Sequence, residues 1–266
     1  MKIGIFDSGL GGLIITHSLI NKLPQYDYLY LGDTARVPYG NRSQELVYQY
    51  TLESVDYLFK QNCKLIIVAC NTASSEALRK IQQEYLPKNY PDRKILGVII
   101  PSVEEVVKET RNGKIGVIAT YGTVNSKTYI REIQKLRPNA QVYQKAAPLL
   151  VPLIEYDGLK WVDKILDEYL APLLQKNIDT LILGCTHYAF IKKIIQEKVG
   201  KDVVIISQDE VVPKKLEDYL ARHPEIEKDL SKKSQYEFSV TSLSEDEYPL
   251  ADQLFGKKIH IKLVTL

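Results

Sequence analysis

Cysteine is scarce in this chain of 266 residues, with three at positions 63, 70 and 185. An odd and widely spaced set excludes a disulfide framework and suits free thiols in a reducing compartment. An excess of charge of one sign is also missing, because 35 basic and 33 acidic residues are interspersed and leave a formal net charge of +2. That balance gives no electrostatic footprint for nucleic acid or an anionic membrane, so a small polar ligand is the expected partner. Long apolar runs are absent. Those at 65–70 and 180–183 are strand-sized, well short of the roughly 20 residues that span a bilayer. The opening Met1-Lys2-Ile3-Gly4-Ile5-Phe6-Asp7 reaches an acidic residue too soon for the apolar core of a secretion signal, and a cytoplasmic protein is expected.

Nucleotide and metal motifs are lacking as well. Phe6-Asp7-Ser8-Gly9-Leu10-Gly11-Gly12 has no Gly-Lys-Ser/Thr ending, and its glycines miss the spacing of a dinucleotide fingerprint. Cys185-Thr186-His187 has no second ligand pair at zinc spacing, so no metal site is expected. Eighteen tyrosines against five phenylalanines show no regular spacing that would make a base-stacking platform. Core edges and subunit contacts are their expected use.

What is present reads as an α/β protein. Short β-branched runs alternate with longer amphipathic stretches, the pattern of βα units that build parallel sheets. Strands are expected near 2–6, 27–31, 64–69, 95–99, 114–118, 140–144, 179–183, 202–206, 236–241 and 259–264. The chain also echoes itself. Lys2-Ile3-Gly4-Ile5 matches Lys114-Ile115-Gly116-Val117, and Val68-Ala69-Cys70-Asn71-Thr72 matches Leu183-Gly184-Cys185-Thr186-His187, at offsets of 112 and 115 residues. Similar offsets suggest two copies of one unit with one cysteine in each. Pro101 and the Arg111-Asn112-Gly113 turn mark a hinge, which predicts a discontinuous first lobe of residues 1–97 plus 208–266 and a second lobe of residues 98–207. The charged stretch 224–237 reads as a solvated loop or helix end.

Two positions can carry chemistry. Ile66-Ile67-Val68-Ala69 is a buried strand that ends at Cys70, and helical spacing follows in Glu76, Ala77, Leu78 and Ile81. A thiol at a helix start feels unpaired N–H groups and the positive end of the dipole. The N–H groups of Asn71 and Thr72 could hold a carboxylate. Cys185 repeats the arrangement after 180–183, with Gly184 expected to let a ligand approach. Cys63 reads as a core residue. Asp7, at the end of the first strand, is a base or orienting group, or else a helix cap. The loop Leu31-Gly32-Asp33-Thr34-Ala35-Arg36-Val37-Pro38-Tyr39-Gly40 is long enough to wrap a small ligand.

These motifs together resemble the glutamate racemases of the aspartate/glutamate racemase superfamily over almost the whole chain. Cys70-Asn71-Thr72 and Cys185-Thr186-His187 carry the superfamily likeness, and the loops at 6–12 and 32–40 carry the glutamate branch. The resemblance implies two pseudo-symmetric lobes, each a mostly parallel sheet flanked by helices, with the site in the cleft between them. It also implies a homodimer, L-glutamate and D-glutamate as substrates, and no pyridoxal phosphate or metal. Cys70 would handle the proton of the D-enantiomer and Cys185 that of the L-enantiomer, assisted by Asp7 and His187, with Glu155 as a further acidic group near Cys185. Ser8, Asn71, Thr72 and Thr186 would bind the polar head of the amino acid alongside Asp7 and His187, with contributions from Tyr39, Gly40, Thr120 and Thr123. D-glutamate made this way would supply peptidoglycan synthesis. Ala119, Gln208 and Thr241-Ser242 depart from the family wording.

Three other readings stay open on the residues. The same two-cysteine chemistry could serve aspartate or another acidic amino acid. Cys185 and His187 could be the nucleophile and base of a hydrolase, if the chain stays extended there. A two-lobed binding protein would need neither cysteine.

Overall fold

A computed structural model describes all 266 residues. Ten strands form two sheets, each at one of the expected positions to within a few residues. β1 (Lys2–Asp7), β2 (Tyr28–Gly32), β3 (Cys63–Val68) and β4 (Lys94–Gly97) come from the first part of the chain, and β5 (Lys114–Ala119), β6 (Gln141–Ala146), β7 (Thr180–Gly184) and β8 (Val204–Ile206) from the middle. β9 (Tyr236–Val240) and β10 (Ile261–Leu263) return to the first sheet. The sheet orders are β10-β9-β2-β1-β3-β4 and β6-β5-β7-β8, and every pairing is parallel.

The internal echo has a structural counterpart. β2-β1-β3-β4 and β6-β5-β7-β8 have the same order, so β1 is equivalent to β5 and β3 to β7. Cys70 and Cys185 therefore follow equivalent strands.

Alternation along the strands divides the apolar side chains between faces. Ile3, Ile5, Leu65 and Ile67 point into a core continuous with Leu13, Tyr188, Leu181, Leu183 and Leu166, which joins the two sheets. Phe6, Ile66 and Val68 pack on the opposite face with Val55 and Phe59. In the second sheet Ile115, Val117 and Ile182 pack away from the joint with Val103, Tyr129 and Ile133. Such two-sided burial is why these strands read as continuous apolar runs. The helix Gln208–Arg222 leaves β8 and packs on both Gly12–Lys22 and Ile99–Glu109, bridging the two halves.

Two expectations are corrected by the packing. The stretch 224–237 is not simply solvated. Ile226 and Leu230 are core residues, and the buried Asp27 accepts hydrogen bonds from the Ser231 hydroxyl (2.6 Å) and the N–H groups of Lys233 and Gln235. Gly184 serves strand packing rather than ligand approach. A Cβ there would lie 2.9 Å from the Cβ of Ala119, its register partner on β5, and 3.0 Å from the carbonyl oxygen of Ile118. Because backbone cannot yield, Gly184→Ala is expected to cost about 1–3 kcal/mol. Thermal unfolding should register this as a lowered Tm, and an unchanged Tm would show that β5 and β7 can part.

Candidate active site

Parallel pairing brings the carboxyl ends of the strands of each sheet to one edge, and the chemistry-bearing residues lie there. Asp7 ends β1, Cys70 follows β3, Thr120 follows β5 and Cys185 follows β7. Cys70 and Cys185 are themselves buried, 6% and 8% exposed.

In the first half of the site, Cys70 caps the helix Asn71–Glu76. Its Sγ accepts from the Ala73 N–H at 3.5 Å and lies 3.2 Å from the Ser8 hydroxyl. Burial pushes the Cys70 thiol up to about 12. The Asp7 carboxylate adds to the rise, as does Cys185, while Ser8 and the Ala73 N–H oppose it. Asp7 is itself buried. Its Oδ2 accepts from the N–H groups of Gly9 (3.2 Å) and Gly12 (3.0 Å), and its Oδ1 has no partner. Burial raises the Asp7 carboxyl above the ordinary range against the pull of His187 and the two N–H groups.

The second half is a chain of three groups. His187 Nδ1 lies 3.9 Å from Cys185 Sγ, and His187 Nε2 lies 2.8 Å from Glu155 Oε1. Glu155 closes the helix Leu150–Glu155, and His187 sits in the turn Thr186–Ile191 directly after Cys185. Burial, the largest influence on the ring, pulls His187 down, yet its contacts with Cys185 and Glu155 outweigh it and hold the imidazolium form well above the usual range.

The halves meet through small residues and hydroxyls. A Cβ on Gly11 would fall 2.4 Å from both His187 Nδ1 and Thr186 Oγ1, so only glycine lets the first loop lie against the second cysteine's turn. Thr72 and Thr120 hydroxyls are 2.9 Å apart, and Thr120 donates to Thr123 at 3.2 Å. Gly40 backs onto Thr120. Ser8 thus lies beside Cys70 and His187 beside Cys185, Thr72 is linked to Thr120 and Thr123, and Cys63 lies in the core behind β1.

Tyr39 is placed differently. It is 1% exposed and donates its hydroxyl to Asp33. Asp33 also takes Arg36 Nε at 2.6 Å and the Thr241 hydroxyl at 3.0 Å. The loop 32–40 is therefore braced from inside by a buried carboxylate that sequence reasoning did not single out. The Asp33-x-x-Arg36 spacing within a strand-end loop was the available signal. Gln208, noted in the sequence only as a departure from the family wording, and Tyr129, not singled out, are both hydrogen-bonded to Asn71. Only their distance along the chain hid these contacts.

No group of three or more His, Cys, Asp or Glu side chains is arranged to hold a metal ion. A cavity of about 270 Å³ takes Ser74 and Ser75 from the helix that Cys70 caps, together with Ile100, Arg131 and Lys215, but includes neither cysteine.

Comparison with known proteins matches the Asp/Glu/Hydantoin racemase family over residues 12–212. The glutamate racemase of Persephonella marina is 41% identical over 269 aligned residues, covering 100% of this chain and 98% of that protein. Among solved structures, glutamate racemase isoform RacE1 from Bacillus anthracis superposes with a TM-score of 0.91 at 33% identity, over 100% of this chain and 97% of that one. The glutamate racemase of Francisella tularensis, solved in complex with D-glutamate, gives 0.88 at 34% identity, over 99% and 97%.

Two outcomes follow from the electrostatics. The folded His187 has a raised pKa, so its contribution to stability is fully present below its unfolded value near 6.5 and is lost as pH rises through the folded value. Glu155→Gln removes part of that rise. Urea unfolding should show the wild type losing more stability between pH 6 and pH 9 than the variant, and parallel profiles would remove Glu155 from this role. Asp7, also raised, gives the same direction of pH dependence for a different reason: burial penalises its charged form, so stability falls once pH exceeds its unfolded pKa. Asp7→Asn is expected to raise Tm by a few degrees, on the order of 1 kcal/mol, at pH 7.5. A lowered Tm would mean that the Gly9 and Gly12 hydrogen bonds outweigh the burial.

Proposed function

The chain belongs to the Asp/Glu/hydantoin racemase family as a glutamate racemase, and on that premise we propose that it inverts the Cα of glutamate by passing protons between two cysteines. Cys70 and Cys185 act from opposite faces of the substrate. The observation that carries this reading is the pair of thiols at the ends of equivalent strands, Cys70 beside the Ser8 hydroxyl and Cys185 beside the His187 ring.

Inversion needs a base on one face of Cα and an acid on the other. In the closed cleft Cys70 is held as a thiol and can donate. The imidazolium favoured at His187, oriented by Glu155, stands beside Cys185, which is the proton acceptor in this reading. That pairing takes the proton of L-glutamate at Cys185 and delivers one from Cys70 to form D-glutamate. The reverse reaction begins from the swapped protonation state. Without a cofactor, carbanion character at Cα must be stabilised by dipoles in a closed site. The first-turn N–H groups of Asn71 and Thr72 are suited to the substrate carboxylate. Ser8, Thr186, Thr120 and Thr123 are suited to its polar head, and Gly40 to shaping the loop. The brace at Asp33 suggests that Tyr39 acts through loop geometry.

Residues 1–97 with 208–266, and residues 98–207, would move as two lobes about the joint to admit substrate. Leu149 and Tyr156, at the two ends of the helix Leu150–Glu155, and Leu159 and Trp161, in the first turn of the helix Leu159–Leu174, are exposed, which supports a homodimer contact on the second lobe. Three free cysteines support a reducing, cytoplasmic setting, and no helix is long and apolar enough to cross a membrane. D-glutamate from this reaction would feed peptidoglycan synthesis. In a depletion strain, failure of D-glutamate to restore growth would count against that role.

The Glu155–His187–Cys185 chain has the order of a hydrolase's orienter, base and nucleophile. It leaves Cys70 without a task, whereas racemisation uses both halves. The deciding experiment follows L-glutamate, and separately L-aspartate, by circular dichroism in deuterium oxide with a thiol reductant and no added cofactor. Loss of signal for glutamate, with one deuterium at Cα of the product, is expected, and aspartate turnover would redirect the substrate assignment. Cys70→Ser and Cys185→Ser should each lower kcat by roughly 100-fold or more. Retention of full activity by either would sink the two-cysteine mechanism.

A further inference from the structure

The proposed proton transfer uses no atom of Gln208, yet this side chain is buried against the first residue after Cys70. Gln208 opens the helix Gln208–Arg222 where the chain leaves β8. Its Oε1 accepts from Asn71 Nδ2 at 2.8 Å, and its Nε2 donates to Asn71 Oδ1 at 2.7 Å and to the Tyr129 hydroxyl at 3.0 Å. Tyr129 closes the triangle by donating to Asn71 Oδ1 at 2.8 Å. Asn71 and Gln208 are each 3% exposed and Tyr129 is fully buried. The triangle ties three elements together, namely the helix start that carries Cys70, the helix Thr128–Leu136 between β5 and β6, and the returning helix.

A reciprocal amide pair in a buried site resists displacement, because moving one partner strands the other's donors and acceptors. Asn71 is covalently next to Cys70, whose Sγ also depends on this helix start through the Ala73 N–H. Any slack in Asn71 is passed to the thiol. The Cys185 half hangs instead on His187 and Glu155, which the triangle does not touch.

We infer that Gln208 is a positioning residue for one half of the site: through Asn71 and Tyr129 it sets where the Cys70 thiol stands relative to the substrate Cα. This rests on the two-cysteine reading. Proton transfer falls steeply with misplacement, so loss of the triangle slows the Cys70 step and leaves the Cys185 step intact. The consequence is an asymmetry between enantiomers.

The test compares wild type, Gln208→Ala, Gln208→Met and Tyr129→Phe on L- and D-glutamate carrying deuterium at Cα. Gln208→Met keeps most of the side-chain volume but none of the hydrogen bonds, and it carries the test if the alanine variant folds poorly. Both Gln208 variants are expected to lose roughly 10- to 100-fold in kcat/KM. Their primary isotope effect should rise for D-glutamate, whose deuteron Cys70 removes, and should not rise for L-glutamate. Tyr129→Phe should show the same asymmetry to a smaller degree. Wild-type isotope effects and activity in Gln208→Met, or equal changes in the isotope effect for both enantiomers, would overturn the inference and leave Gln208 a packing residue. A wild-type protein inert toward glutamate would instead overturn the proton-transfer reading, and this inference with it.

Discussion

Parallel strand pairing is the constraint on which the rest of this structure depends. A parallel neighbour can be reached only by a crossover, and the crossovers here are helices that cover both faces of each sheet. The strands are buried on both sides, and the carboxyl ends within a sheet share one edge. Loops with free N–H groups, small residues and short side chains collect there because nothing else in the fold can expose them. Two sheets with the same strand order, joined through one continuous apolar core, then bring two such edges together. The cleft follows from connectivity as much as from any single contact.

Burying ionisable groups in that cleft costs free energy, and the two halves meet the cost differently. Around Cys70 the companions are a hydroxyl, a backbone N–H and the like charge of Asp7, and the thiol form wins. Around Cys185 the companion is an imidazole backed by a carboxylate, and the positive ring wins over its own burial. The two cysteines thus have unequal surroundings at equivalent strand ends. Asp7, with one oxygen unpartnered, carries a local cost to stability of the kind concentrated at functional sites.

Contacts between the halves are short and polar where they approach the cysteines and apolar behind them. Gly11 against His187, Thr72 against Thr120 and the Asn71–Gln208–Tyr129 triangle all join residues far apart in the chain.

The sequence by itself determined where the strands lie and that Cys70 and Cys185 follow two of them. All ten strands lie where β-branched runs ended in turn residues, because a strand buried on both faces must be locally apolar and the glycine and polar residues after it must be loop. Cys70 and Cys185 were legible for the same reason, as was the repeat that pairs them. Tertiary structure alone decided which distant groups meet. The contact of Glu155 with His187, the brace of Tyr39 on Asp33, the packing role of Gly184 and the capture of Asn71 by Gln208 depend on sheet register and helix crossing. None of these leaves a mark in local composition or periodicity. Hydrophobic pattern is a property of neighbours along the chain, whereas hydrogen-bond partners and close approaches are properties of neighbours in space.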